Sequence, residues 1–202
     1  MSKYKNTDPT KLLNTLPITP ISDLKAGTLY KINGIAETES SMLSLLTKSK
    51  CIGYTFYEKK WVSRKPFKNS HSDKKWKTLS SQTECRDFYI KDKSGKIKVN
   101  AYDIKIHLNI NESKKNNKGT YLIENILLAD NTNYIVLGTV SNGDNNSLEI
   151  CKSLDGAPLI IMDEKFYNIY VHKNPYLRVG CAVLLIAIAI AFFSVFVKSI
   201  FF

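Results

Sequence analysis

The feature that most constrains this chain is a run of nineteen residues without a charge, Val179 to Val197, "VGCAVLLIAIAIAFFSVFV". As a helix it extends about 28 Å at ~1.5 Å per residue, against a bilayer hydrocarbon core ~30 Å thick. A core helix in a chain this size keeps a polar face, and this run has none around its circumference. A cleavable signal peptide is N-terminal, so the position excludes one. The run predicts a single transmembrane helix with ends at Val179 and Val197, anchored at the headgroups by Tyr176, Arg178 and Lys198. The opening stretch "MSKYKNTDPTKLLNTLPITP" has no apolar segment, so insertion after synthesis, as in tail-anchored proteins, is expected. His172, Lys173 and Arg178 precede the run and only Lys198 follows. That bias places the preceding domain on the cytoplasmic face.

Upstream of the run the chain is polar and strongly basic. Its formal charge is +11, with 26 lysines to 3 arginines and abundant Asn and Ile. An AT-rich coding genome produces that pattern, so part of the excess is compositional and its distribution says more than its total. Residues 59–77, "KKWVSRKPFKNSHSDKKWK", hold eight Lys/Arg against one Asp. Lys59, Lys60, Arg64, Lys65, Lys68, Lys74, Lys75 and Lys77 surround Trp61, Phe67 and Trp76. Pro66 and the Asn-Ser-His-Ser cluster predict a long loop. Cations interleaved with aromatics suit anionic lipid headgroups, an acidic protein surface, or single-stranded nucleic acid. A solvated loop with both tryptophans tucked against the domain is the alternative. An adjacent bilayer makes lipid or acidic protein the better match than nucleic acid.

Residues 1–27 read as a flexible arm. Strand signals follow at 28–39, where Gly34 suits a bend or a close backbone approach, and at 51–59. "SSMLSLLTKS" (40–49) reads as a short helix capped by Ser40 or Ser41. In "RDFYIKDKSGKIKV" two alternating runs flank Asp92-Lys-Ser-Gly95. Asp opens a type I turn by accepting from its own backbone, and Gly tolerates a positive φ where the chain rejoins the strand. Ile104, Ile106, Leu108 and Ile110 alternate with Lys105, His107 and Asn109, which turns His107 outward. Three strands follow in 120–153 and a short one at 157–162. Residues 163–178 form an amphipathic juxtamembrane helix, with Phe166, Ile169 and Tyr170 at i, i+3 and i+4. Seven or eight short strands and one small helix across 28–162 predict a mainly β domain. It is a small antiparallel OB-like, Greek-key barrel, with a sandwich as the alternative.

Taken in order, "INGIAE" (Ile32–Glu37), "CIGY" (Cys51–Tyr54), a variable loop carrying Trp76, "FYIKDKSGKIKV" (Phe88–Val99) and "YLIENILLADNTNYIVLGTV" (Tyr121–Val140), then a terminal apolar run, the chain resembles the GIDE, or BAM ("beside a membrane"), domain. That domain occurs in membrane-anchored mitochondrial ubiquitin ligases and in prokaryotic relatives. The resemblance covers residues 28–198 and implies a membrane-side β domain that binds protein or lipid. Ligase activity does not carry over. A RING's pair of four-ligand zinc sites needs more Cys and His, at set spacings, than the seven this chain holds.

No cofactor or metal is implied, because Cys51, Cys85, Cys151 and Cys181 form no CxxC pair. Cys51 and Cys151 fit a core role as small hydrophobes. His71, His107 and His172 lack local partners that would make a nucleophile and its base. Glu124 is the one acid in the apolar strand "YLIENILL". Alternation sets Leu122, Glu124 and Ile126 on one face, and Tyr121, Ile123 and Asn125 on the other. Glu124 either faces solvent, pairs with a lysine of a neighbouring strand, or makes a polar contact at a partner-binding face. The expected function is a non-enzymatic, membrane-anchored module that engages a protein partner or lipid. The alternatives are an accessory subunit of a membrane-bound ubiquitin-like ligase or effector system, and a tethered OB-like nucleic-acid binder or sensor.

Overall fold

A computed structural model of the chain describes residues 8–63, 74–108, 112–115, 119–143 and 147–171. Residues Met1–Tyr167 form one compact unit and Asn168–Phe202 another. The elements are α1 (Pro9–Thr15), β1 (Leu29–Glu37), β2 (Met42–Leu43), β3 (Lys50–Cys51), β4 (Gly53–Ser63), β5 (Lys74–Cys85), β6 (Phe88–Lys91) and β7 (Lys96–Val99). They continue with β8 (Lys105–His107), β9 (Glu112–Lys115), β10 (Tyr121–Leu127), β11 (Asn133–Asn142), β12 (Leu148–Cys151), β13 (Ile160–Asp163) and α2 (Glu164–Val171).

The domain is mainly β and built on a closed barrel. Strands β1, β6, β7, β12 and β11 pair in that order, and β11 returns to β1 to close the circle, while β13 and β8 extend from β11. A purely antiparallel sheet was expected. Instead β7–β12 and β13–β8 are parallel, because long connections bring each pair together from distant parts of the chain. Alternation fills the interior: Ile32 and Ala36 from β1, Phe88 and Ile90 from β6, Ile97 and Val99 from β7, Val136 and Val140 from β11, and Ile150 from β12 share one core. In β11 and β13 neighbouring residues are buried alike (Ile135, Val136, Leu137; Ile160, Ile161, Met162). Both faces are covered there, which is why these strands read as continuous apolar runs.

A second sheet, β5-β4-β10-β9, grows from the β1–β6 and β8–β11 connections. It joins the barrel core through Ile52 and Leu127, whose backbones bond at 2.9 Å. Gly34 is required by close approach: a Cβ there would meet the Lys91 carbonyl oxygen at 2.5 Å and Ile90 Cγ2 at 2.7 Å.

Three local expectations are corrected. The 8–27 part of the supposed arm is folded. Asp8 caps α1 by accepting from the Thr10 N–H at 2.9 Å, Pro9 starts the helix, and Leu12 and Leu13 are buried. Residues 40–49 are not helical. They form β2 and a tight turn, because the Leu46 and Thr47 N–H groups bond to the Glu124 carboxylate instead of to a helix carbonyl. The stretch 59–77 is not a loop at its flanks: Lys59–Ser63 and Lys74–Lys77 are paired strand. At the end of the first unit Asp163 caps α2 by accepting from the Phe166 N–H. Among the described residues no helix is long and apolar enough to cross a membrane. The predicted span Val179–Val197, with Tyr176, Arg178 and Lys198, lies outside them.

Candidate functional site

The surface built from the sequence-predicted residues is the β4–β5 ribbon. Tyr121, the first residue of β10, pairs with Lys59, so past β10 the strands β4 and β5 pair, among the described residues, with each other alone. There Lys60 faces Lys77 across the ribbon, Trp61 faces Trp76, and Val62 faces Lys75. Paired residues of antiparallel strands share a side, and neighbours along a strand alternate. Trp61 and Trp76 therefore share one side with Lys59, and Lys60, Lys75 and Lys77 occupy the other.

One side is aromatic. Trp61 and Trp76 stack with ring centroids 4.0 Å apart, and Trp76 meets Tyr121 edge-on at 5.0 Å. Lys59 lies over the Tyr57 ring at 4.6 Å. The tryptophans stay 43% and 38% exposed, and they pack on each other rather than against the barrel. The other side carries Lys60, Lys75 and Lys77. Direct Lys–Lys opposition costs stability in a free sheet and is relieved by an anion. Arg64, Lys65 and Lys68 lie outside the described residues.

The barrel offers a second basic surface, on the outer face of β1, β6 and β7. Tyr89, Lys91, Lys96 and Lys98 are there, with Lys96 over the Tyr89 ring at 4.2 Å. Its charge is answered internally. Glu37 bridges Lys91 at 3.3 Å and Lys96 at 3.0 Å, and Asp87 meets Lys98 at 3.1 Å. The hydrogen bonds from Lys96 and then Lys91 hold the Glu37 carboxyl below its ordinary range.

Glu124 is fully buried, so it neither faces solvent nor, among the described residues, forms an ion pair with a lysine. It faces Phe56 in the sheet, on the side of Lys60 and Lys77. Its carboxylate accepts from the Leu46 N–H at 2.9 Å, the Thr47 N–H at 3.2 Å and the Thr47 hydroxyl at 3.3 Å. It pins the 44–49 turn from beneath. Only the neighbouring strand pattern was visible in sequence; the acceptor's donors come from residues nearly eighty positions away.

Asp92 and Gly95 do form the turn. The Asp92 N–H donates to the Gly95 carbonyl at 3.0 Å, and the Asp92 carboxylate accepts from the Ser94 and Gly95 N–H groups. It also accepts from the Ile21 N–H at 2.9 Å. Burial pushes this carboxyl up, but the Ser94 hydroxyl, donating at 2.7 Å, and those backbone donors outweigh it and the net shift is downward. Gly95 does not adopt a positive φ. It is small because a Cβ would touch Ile21 Cγ2 at 3.3 Å.

His107 is not turned to solvent: its ring stacks on Phe166 at 5.9 Å, and burial, then Lys105, lowers its pKa. Cys51 is buried and Cys151 half-buried beside Ser141 at 3.2 Å. Burial, then Asp87 and Cys51, pushes the Cys85 thiol up to about 12, which keeps it protonated and a poor nucleophile. An apolar cleft of 620 Å³ lies between Leu29, Tyr102, Thr139, Cys151 and Leu154. Among the described residues no group of three or more His, Cys, Asp or Glu is placed to hold a metal ion.

The sequence reading missed buried Lys31. Its ammonium donates to the Leu13 carbonyl at 2.8 Å and the Tyr167 hydroxyl at 3.0 Å, joining α1 to α2 across β1. Neither its strand context nor its position among 26 lysines marks it out.

Comparison with protein-family models, curated proteins and solved structures finds no match to this chain.

Proposed function

We propose that this chain is a non-enzymatic adaptor, a β domain tethered beside a membrane by the 179–197 run. In this reading the aromatic side of the second sheet engages a partner protein, and the lysine side meets anionic lipid headgroups. The observation that carries the proposal is the exposed Trp61–Trp76 stack at the end of the ribbon. Rigid, partly exposed tryptophans are the residues that dominate protein–protein affinity. A bilayer is a plane and can touch only one side of a ribbon, so the placement of Lys60, Lys75 and Lys77 on the side away from the Trp61–Trp76 stack supports two different occupants.

The barrel order supports the OB-like reading. Five strands close in the sequence first, second, third, fifth, fourth, with the third and fifth parallel. In such barrels the outer face of the early strands is the nucleic-acid surface, and Tyr89 amid lysines favours that as a second reading. The carboxylates of Glu37 and Asp87 within this cluster oppose it, since they occupy the cations that phosphate would need. The GIDE/BAM resemblance extends the first reading to a partner within a membrane-bound ubiquitin-like conjugation or effector system.

The test is capture of the full-length protein from its native membrane, wild type against Trp61→Ala/Trp76→Ala. A partner retained by the wild type and lost from the double variant, with unchanged thermal stability of the barrel, is the expected result. Identical partner sets would remove the aromatic side from the function. Salt-dependent oligonucleotide binding, abolished by Tyr89→Ala, would instead establish the second reading.

A further inference from the structure

We propose that the turn spanning Met42–Lys50 is a preformed bilayer-contact element. Leu43 and Leu45 enter the lipid interface, Lys48 and Lys50 meet anionic headgroups, and Glu124 fixes the shape of the turn. This rests on the membrane-tether reading above and assigns the contact to particular residues.

Leu43 is 58% exposed and Leu45 40%, although a flexible connection of this size has every means to fold its leucines inward. The turn is prevented from doing so. The Ser44 N–H donates to the Ser49 carbonyl at 2.9 Å. The Ser44 and Thr47 hydroxyls bond at 2.7 Å, and the Ser49 N–H donates to Ser44 Oγ at 3.2 Å. Lys48 takes a left-handed φ of 59°, uncommon for a residue other than glycine. Beneath them the buried Glu124 carboxylate accepts both turn N–H groups. Burying a carboxylate is costly unless it is fully hydrogen-bonded, and here its bonds hold two leucines outward.

The chemistry of the rim selects the occupant. Between Ser40 and Lys50 there are two lysines and no acid. The turn lies on the Glu124 side of the sheet, which is also the side of Lys60 and Lys77 and of two acids that already have donors, Glu58 from the Thr120 hydroxyl and Glu84 from the Gln82 amide. Apolar tips among cations are the pattern of an interfacial element on anionic lipid. Residues 172–178 alone separate Val171 from the apolar run, a tether of at most about 25 Å.

The experiment uses the full chain in nanodiscs of phosphatidylcholine and phosphatidylserine in equal parts. A photoreactive benzophenone amino acid replaces Leu43, Leu154 or Ile186 in turn. Lipid adducts at Ile186 and at Leu43, the latter several-fold above exposed Leu154, are expected. Lys48→Glu/Lys50→Glu should lower the Leu43 adduct several-fold in these discs and leave it unchanged in pure phosphatidylcholine. Glu124→Gln should lower it in both. Adducts at Ile186 without any at Leu43 would overturn the turn's role and leave the tether standing. Absence at both positions would overturn both. Crosslinking of the Leu43 probe to a protein in native membranes, with no lipid adduct, would also overturn the proposal.

Discussion

At residue scale the fold depends on a few positions where no substitute fits. Gly34 is one, since any Cβ runs into the Lys91 carbonyl and Ile90. Gly34→Ala should lower unfolding free energy by about 1–3 kcal/mol, measured by urea denaturation. His107 is another kind of position. Its folded pKa lies below the ordinary 6.5 because burial disfavours the charged ring. The unfolded chain therefore binds the proton first as pH falls, and stability drops below pH 6.5 until the folded pKa is passed. His107→Phe keeps a ring against Phe166 and should flatten that part of a stability–pH curve. Glu37 acts in the same sense at lower pH. Its lowered pKa gives stability present at neutral pH and lost as pH falls through the carboxylate range.

At the scale of elements, the ribbon shows how a strand sorts what sequence mixes. Lys60 and Lys77 face each other across β4–β5. Lys60→Glu should stabilise the ribbon by about 0.2–1 kcal/mol at low salt, less as salt screens the pair, seen as slower amide exchange in β5. The Trp61–Trp76 stack should show a coupling of about 0.5–1.5 kcal/mol in a double-mutant cycle with alanine. The hairpin of β6 and β7 was legible from Asp92 and Gly95, because its donors and acceptors are local. The 40–49 segment was not: it read as a short helix capped by Ser40 or Ser41, and the competing acceptor, Glu124, comes from β10.

For the whole molecule, Lys31 ties the two ends of the described chain, since the Leu13 carbonyl and the Tyr167 hydroxyl share its ammonium as donor. Lys31→Met removes that donor and should cost about 1–3 kcal/mol, with faster amide exchange in both α1 and α2. Barrel closure likewise depends on β11 pairing with β1, Leu29 to Thr139 through Ile35 to Asn133, a register no local pattern announces. What the sequence determined by itself is everything with a short period. That covers the alternation of the strands, the turn at Asp92–Gly95 and the uncharged run at 179–197. The tertiary structure alone decided which strands are neighbours, that the barrel closes with two parallel pairs, and that residues 8–27 pack on it. It also decided that Glu124 looks inward and that Lys60, Lys75 and Lys77 lie on the side away from the Trp61–Trp76 stack. The physical reason is range: alternation and turn chemistry act between residues a few positions apart. Burial and hydrogen-bond partners are set by segments that meet only once the chain has folded.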